Sequence, residues 1–201
     1  MRELIVTTFL TLDGVMQAPG GPHEDEEGGF ALGGWQASYL DDVGDRALTA
    51  FMDGPFDLLL GRKTYDIFAA YWPDHVDGPI GRKFGEATKY VASRDAPALP
   101  WDRSVLLEDD VAQSVAELKV QDGPQLHVYG SGDLVQTLRA HDLIDRYLLW
   151  IHPVVLGSGK RLFPEGTHQG ALRLVESKVS TTGVVIGTYE PAGDVTTGTI
   201  E

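Results

Sequence analysis

The run Asp57-Leu58-Leu59-Leu60-Gly61-Arg62-Lys63-Thr64 decides the fold. Its leucines are uniformly apolar over a short span, which reads as a strand buried on both faces. The glycine lets the backbone turn sharply. A helical pattern through Tyr65, Phe68 and Ala69 follows at once and is expected to end before Pro73. Related patterns recur downstream. Lys89-Tyr90-Val91-Ala92 is a strand leading into Ser93-Arg94. Gln125-Leu126-His127-Val128-Tyr129 runs into Gly130-Ser131-Gly132 and a helix carrying Leu134, Val135 and Leu138. Strands alternating with helices pack as a sheet covered by helical layers, so the chain is expected to be α/β.

Outward from these units, residues 3–12 (ELIVTTFLTL) form another strand covered on both sides. Residues 13–35 hold seven glycines, two prolines and an acidic knot, too long a loop to be incidental. An amphipathic helix is expected from Gln36 to Met52 and a short one over 79–87. Ser104 to Leu107 reads as a strand, and Asp109 or Asp110 caps the next helix, through Val111, Val115 and Leu118. A long strand, Asp145 to Val155, breaks at Gly157-Ser158-Gly159. Strands at 172–179 and 183–190 meet at Thr182-Gly183 as an antiparallel hairpin. The expectation is one domain over 1–190, a mixed, mostly parallel sheet, and a frayed tail over 191–201.

Composition narrows the function. The 201 residues carry 16 Lys+Arg against 30 Asp+Glu, a formal charge of −14. That balance argues against a partner such as nucleic acid or anionic membrane, both of which need a basic face. There is no cysteine, hence no disulfide, thiolate nucleophile or Cys-ligated zinc. The N-terminus lacks the charged region and cleavage site of a signal peptide, and the expected location is cytoplasmic. His23 among Glu24, Asp25, Glu26 and Glu27 offers metal-ligand types without a helix or strand to space them, so no metal is expected. His127 and His152 read as strand histidines of the core.

Three strand ends suit phosphate. Gly61 to Thr64 supplies a tight turn, the amides opening a helix, the Arg62 fork and the Thr64 hydroxyl. Ser93-Arg94 ends a second strand. Gly130-Ser131-Gly132 allows close backbone approach to a pyrophosphate. Singly, each pattern is what many tight turns look like. In an acidic α/β chain they are expected to act together, because ligands of such sheets bind outside the carboxyl ends of the strands. Pyrophosphate loops plus separate arginines suit a 2′-phosphorylated dinucleotide, NADPH. There is no GxGxxG after the first strand, and Gly157-Ser158-Gly159-Lys160 has the wrong spacing for a Walker A loop.

Five pieces occur in one order: Thr11-Leu12-Asp13-Gly14; Leu60 to Tyr65; Tyr90-Val91-Ala92-Ser93-Arg94; Tyr129-Gly130-Ser131-Gly132-Asp133-Leu134; and Leu143 to Tyr147 continuing through His152 to Phe163. In them the chain resembles the dihydrofolate reductase-like superfamily. The likeness is greater to the C-terminal reductase domain of the riboflavin-biosynthesis deaminase-reductases, and among these to stand-alone bacterial members. It covers residues 3 to about 189. The resemblance implies a three-layer fold on a sheet of about eight strands. It also implies an NADPH-dependent reductase passing hydride to a C=N or C=O carbon of a small heterocycle, pterin-like or riboflavin-precursor-like.

By the same resemblance, Gly61, Arg62, Lys63 and Thr64 would lie along the pyrophosphate, with Arg62 toward the adenosine. Ser93 and Arg94 would meet the 2′-phosphate, and Gly130, Ser131, Gly132, Asp133 and Leu134 the other flank. Residues 13–35 would be a mobile lid. Asp13 would stand nearest the reacting carbon, against the plainer reading of a turn cap before Gly14. Trp35 and Trp150 are expected to stack on substrate, against core packing. No carboxylate precedes Asp41-Asp42 where dihydrofolate reductases place their pterin-fixing acid, so dihydrofolate is not the expected substrate. The rival reading is a non-catalytic nucleotide-binding module. A homodimer is the expected assembly.

Overall fold

The computed structural model describes residues 1–107 and 110–200. Eight strands form one sheet: β1 (Leu4–Thr11), β2 (Phe56–Gly61), β3 (Lys89–Ala92), β4 (Ser104–Leu106), β5 (Gln125–Tyr129), β6 (Arg146–His152), β7 (Leu172–Val179) and β8 (Val185–Pro191), ordered β4-β3-β2-β5-β1-β6-β8-β7. The first six in that order pair parallel, and β8 and β7 add antiparallel. The five α-helices among the described residues are α1 (Asp42–Phe51), α2 (Arg62–Tyr71), α3 (Pro79–Glu86), α4 (Val111–Val120) and α5 (Gly132–Ala140). The α/β reading with a closing antiparallel hairpin is what the structure contains.

Alternation along the strands divides the apolar residues between two cores. Leu4, Val6, Leu59, Leu126 and Val128 pack with Val115, Leu118 and Leu138 of α4 and α5. Phe56, Leu58, Leu60 and Val91 pack on the opposite face with Tyr65 of α2 and Phe84 of α3. There His127 is stacked between Phe51 (4.5 Å) and Phe56 (4.4 Å), and burial pushes its pKa down to about 4. It is a core histidine.

Several boundaries differ from expectation, each for a local reason. The helix expected over Gln36 to Met52 is a 3-10 turn at Ala37–Tyr39 followed by α1. Asp41 interrupts it: extended at φ −154°, it caps α1 by accepting from the Gly44 amide at 2.8 Å. Its other oxygen accepts from the Thr181 amide and hydroxyl, each 2.6 Å away, tying α1 to the β7–β8 turn. After α2 a 3-10 turn, Trp72–His75, runs across Pro73, which needs no amide hydrogen at a helix start. Asp110 caps α4 by accepting from Gln113 N at 3.0 Å; Asp109 lies outside the described residues. The strand expected to reach Val155 stops at His152, before Pro153. The tail stays paired through Gly193, whose carbonyl accepts from Ala171 N at 2.8 Å.

Parallel pairing puts the carboxyl ends of β3, β2, β5, β1 and β6 side by side, so Ala92, Gly61, Tyr129, Thr11 and His152 share one edge. Loops that leave this edge face one another. That edge is where a ligand of an α/β sheet belongs.

Candidate active site

The three expected turns meet at this edge. Gly61 is level with Ala92 across β2–β3, so Ser93 and Arg94 continue beside the start of α2. The Gly61 amide donates to Ser131 Oγ at 2.9 Å, and the Ser131 amide donates to Thr64 Oγ1 at 3.1 Å. This exchange locks the first and third turns together. It requires Gly130 and Ser131 both to be left-handed, at φ 56° and 55°. A methyl group on Gly130 would stand 3.3 Å from Thr64 Oγ1, which is why a non-glycine fits poorly there.

The first helical hydrogen bond of α5 runs from Val135 N to Ser131 O. The amides of Gly132, Asp133 and Leu134 therefore precede it and point out of the helix end, the arrangement that receives an anion. Asp133 is exposed and Leu134 is buried in the core. The cations are placed unequally. Arg62 donates to both oxygens of Asp66 one turn along α2, each at 2.7 Å. Lys63 is bound into the lid. Arg94 is exposed and forms no ion pair among the described residues.

Residues 13–35, the segment expected to be a mobile lid, are packed rather than open. Val15, Ala18, Phe30 and Trp35 form a small core of their own against Phe9, Val154 and Leu156. Val15 bridges to Arg161, and the Lys160 amide donates to Gln17 Oε1 at 3.0 Å. A four-charge clasp closes it. Asp25 pairs with Lys160 at 2.7 Å and Lys63 at 3.3 Å, and Glu27 pairs with the same two lysines. Burial pushes the Asp25 carboxyl up, but Lys160, the Glu27 amide and Lys63 together outweigh it and hold it below its usual range. Lys160 and then Lys63 do the same for Glu27.

Because most of the clasp is solvent exposed, its strength depends on salt. Raising salt from about 0.1 to about 1 M shortens the screening length from about 10 to about 3 Å. Amide exchange over residues 15–35 is expected to quicken over that range. Asp25→Asn with Glu27→Gln should exchange fast at both salts, as read by mass spectrometry.

Asp13 is committed to the loop after β6. It accepts from Thr11 Oγ1 at 2.6 Å and from the amides of Gly157 and Leu156 at 2.8 and 3.2 Å. The Thr11 hydroxyl first, then those two amides, hold its pKa down at about 2 against the opposing push of burial. An acid so held is ionised at neutral pH and is a poor proton donor, so the geometry serves the plainer alternative, a cap. Trp35 is buried, and its indole N–H donates to Gln17 O at 2.8 Å; this is packing within the lid. Trp150 lines a cleft between α1 and β6, with its ring 5.5 Å from Phe9. Its indole N–H is buried without a partner among the described residues. Thr7 and Tyr129, in register on β1 and β5, add two more buried hydroxyls without partners.

A family model described as the RibD C-terminal domain matches residues 2–186. The chain belongs to the RibD C-terminal domain family. Its curated relatives include the uncharacterized protein YyaP of Bacillus subtilis (strain 168), 28% identical over 188 residues, covering 92% of each chain. The uncharacterized protein YwjB of the same organism is 27% identical over 143 residues, 70% of this chain and 78% of YwjB. Among solved structures, a candidate riboflavin biosynthesis protein from Shewanella sp. PV-4 is similar, with 23% identity and a TM-score of 0.73. The match covers 94% of this chain and 99% of that one. The dihydrofolate reductase from Enterococcus faecalis, complexed with NADP(H) and RAB-propyl, matches at 14% identity and a TM-score of 0.60. It covers 94% of this chain and 96% of that one. At these identities the likeness is one of fold, and the fold is dihydrofolate reductase-like.

In this RibD C-terminal domain, two features escaped the sequence. The clasp joins residues up to 135 positions apart, so no local pattern announces it. His152 reads as an ordinary strand histidine, yet it ends β6 at the carboxyl edge of the sheet and lines the same cleft as Trp150. The only available signal was its position just before the break at Pro153. No helix among the described residues is long and apolar enough to cross a membrane.

Proposed function

We propose that the chain is an NADPH-dependent reductase that delivers hydride to a C=N or C=O carbon of a small, flat heterocycle. The carrying observation is the interlocked pair of turns at Gly61–Thr64 and Gly130–Leu134, beside an exposed Arg94. These residues fit a phosphorylated dinucleotide. The amides of Gly132, Asp133 and Leu134 would receive a pyrophosphate oxygen. Arg94 would take the 2′-phosphate, with Ser93 beside it.

When bound, the nicotinamide supplies the hydride. The chain's part is to orient and to keep water out. The packed lid, with Met16 against Gly132, is built to cover that edge. Lys63 belongs to both the cradle helix and the clasp, so an arriving phosphate and the lid carboxylates would compete for it.

Titration calorimetry tests this reading. NADPH is expected to bind at micromolar concentration and more tightly than NADH. Arg94→Ala should weaken NADPH by about 1.5–3 kcal/mol, the value of a hydrogen bond to a charged group, and leave NADH nearly unchanged. Equal losses for both would remove Arg94 from the site, and absence of NADPH binding would remove the proposal. One observation favours the rival, binding without turnover: Asp13 is fastened to the 156–157 loop, which leaves the proton to water. NADPH oxidation with any oxidised pterin, flavin precursor or quinone would exclude that rival.

A further inference from the structure

The cleft between α1 and the sheet is lined by Phe9, Tyr39, Leu48, Trp150 and His152, among others. Within it, His152 is held in an uncommon way. Its Nδ1 lies 2.9 Å from Trp150 O and 3.1 Å from Leu10 O. Both neighbours are carbonyl oxygens, which only accept, so Nδ1 must carry the proton. Three rings surround the imidazole at steep angles: Trp35 at 5.1 Å, Tyr39 at 5.7 Å and Phe9 at 6.1 Å. They fix its plane. Nε2, on the far side of the ring from the carbonyls, has no hydrogen-bond partner among the described residues.

A neutral imidazole bonded this way offers a single lone pair and no donor. Burial pushes the His152 pKa down, with the two carbonyls opposing, so the neutral ring is the form present at neutral pH. The rest of the cleft wall mixes aromatic and aliphatic side chains with the polar Gln36, Asp41, Asp45 and Ser180, and the Trp150 N–H is buried without a partner among the described residues.

We propose that His152 is a specificity-determining residue, whose Nε2 accepts a hydrogen bond from a planar ring carrying its own N–H or O–H. This rests on the reductase reading, since it names what enters beside the coenzyme edge. A ring that presents only acceptors at that point would leave two lone pairs facing each other at a residue only 2% exposed. Selection by an unmet buried polar group is strong compared with selection by shape. As Trp35 of the lid stands edge-on to His152, the ring enters with the lid raised.

Three probes isolate the donor: benzimidazole, 1-methylbenzimidazole, which lacks the N–H, and 5-methylbenzimidazole, which keeps it at the same size. Binding is followed by ligand-observed NMR at pH 7.5, with and without NADPH, alongside NADPH calorimetry. Benzimidazole and its 5-methyl form should bind about tenfold tighter than the 1-methyl form. His152→Phe should keep NADPH affinity and erase the preference, and His152→Gln, whose amide oxygen can accept, should restore part of it. Equal binding of the three probes, binding of none, or a preference that survives His152→Phe would overturn the role of His152 while leaving NADPH binding to stand. Loss of NADPH binding in the wild type would instead sink the reductase reading, and the probes without coenzyme would still read the cleft. A His152→Phe chain that fails to fold shifts the decision to His152→Gln and to the wild-type probe ratio, where a ratio near one is the overturning result.

Discussion

Arg2→Met is expected to destabilise the fold by about 3–5 kcal/mol, the usual result of removing one partner of a buried ion pair. The Arg2 side chain is 3% exposed and pairs with Asp57 at the start of β2. Its Nε also donates to Pro124 O at 2.6 Å, and its guanidinium lies 5.6 Å from the centre of the Tyr90 ring. Asp57 accepts from the Thr88 amide at 3.0 Å, so the pair ties the N-terminus to the entries of β2, β3 and β5. Methionine fills similar volume but leaves the carboxylate desolvated and alone. Arg2→Met with Asp57→Leu should recover a good part of the loss, because a well-packed apolar pair is often as stable as a buried ionic one. Urea unfolding followed by circular dichroism checks both. Additive losses in the double variant would show that the two side chains act separately. The pair lies at the opposite edge from the site, so NADPH affinity at low temperature should not change.

Near neighbours in the chain explain what was legible. Leu58 to Leu60, Leu126 to Tyr129 and Lys89 to Ala92 are strands whose type and ends follow from apolar runs stopped by glycine or by Ser-Arg. Parallel pairing of such strands puts their carboxyl ends at one edge, where the three turns were expected to act together. What was not legible depends on distant partners. Asp41 looks like one more residue of an amphipathic helix until the Thr181 amide and hydroxyl hold it extended. Asp13 carries the same local signal whether it serves chemistry or caps a loop 143 positions away, and only the amides of Leu156 and Gly157 separate the two. Trp35 and Trp150 were equally ambiguous. Their partition into lid packing and cleft wall depends on how residues 13–35 fold back, and a glycine-rich segment encodes that only through its contacts.

Gly159 is where those contacts are least tolerant, and Gly159→Val should detach the lid. Its φ is +120°, a conformation that side chains rarely adopt. A β-carbon there would come within 2.7 Å of Val15 Cγ1 and 3.0 Å of the Phe30 ring, both in the lid's own core. Backbone strain of about 1–3 kcal/mol and overpacking of about 1–3 kcal/mol act on the same few contacts. A loop core of four buried side chains is a small cooperative unit, so the expected response is local opening rather than global unfolding. Limited proteolysis should therefore cut within residues 20–30 far faster than in the wild type, while the urea midpoint moves little. A large midpoint shift without faster cutting would mean that the lid and the sheet unfold together. With the lid released, Lys63 also loses Asp25 and Glu27. If those carboxylates compete with coenzyme phosphate, Gly159→Val should bind NADPH no more weakly than the wild type even though hydride transfer falls.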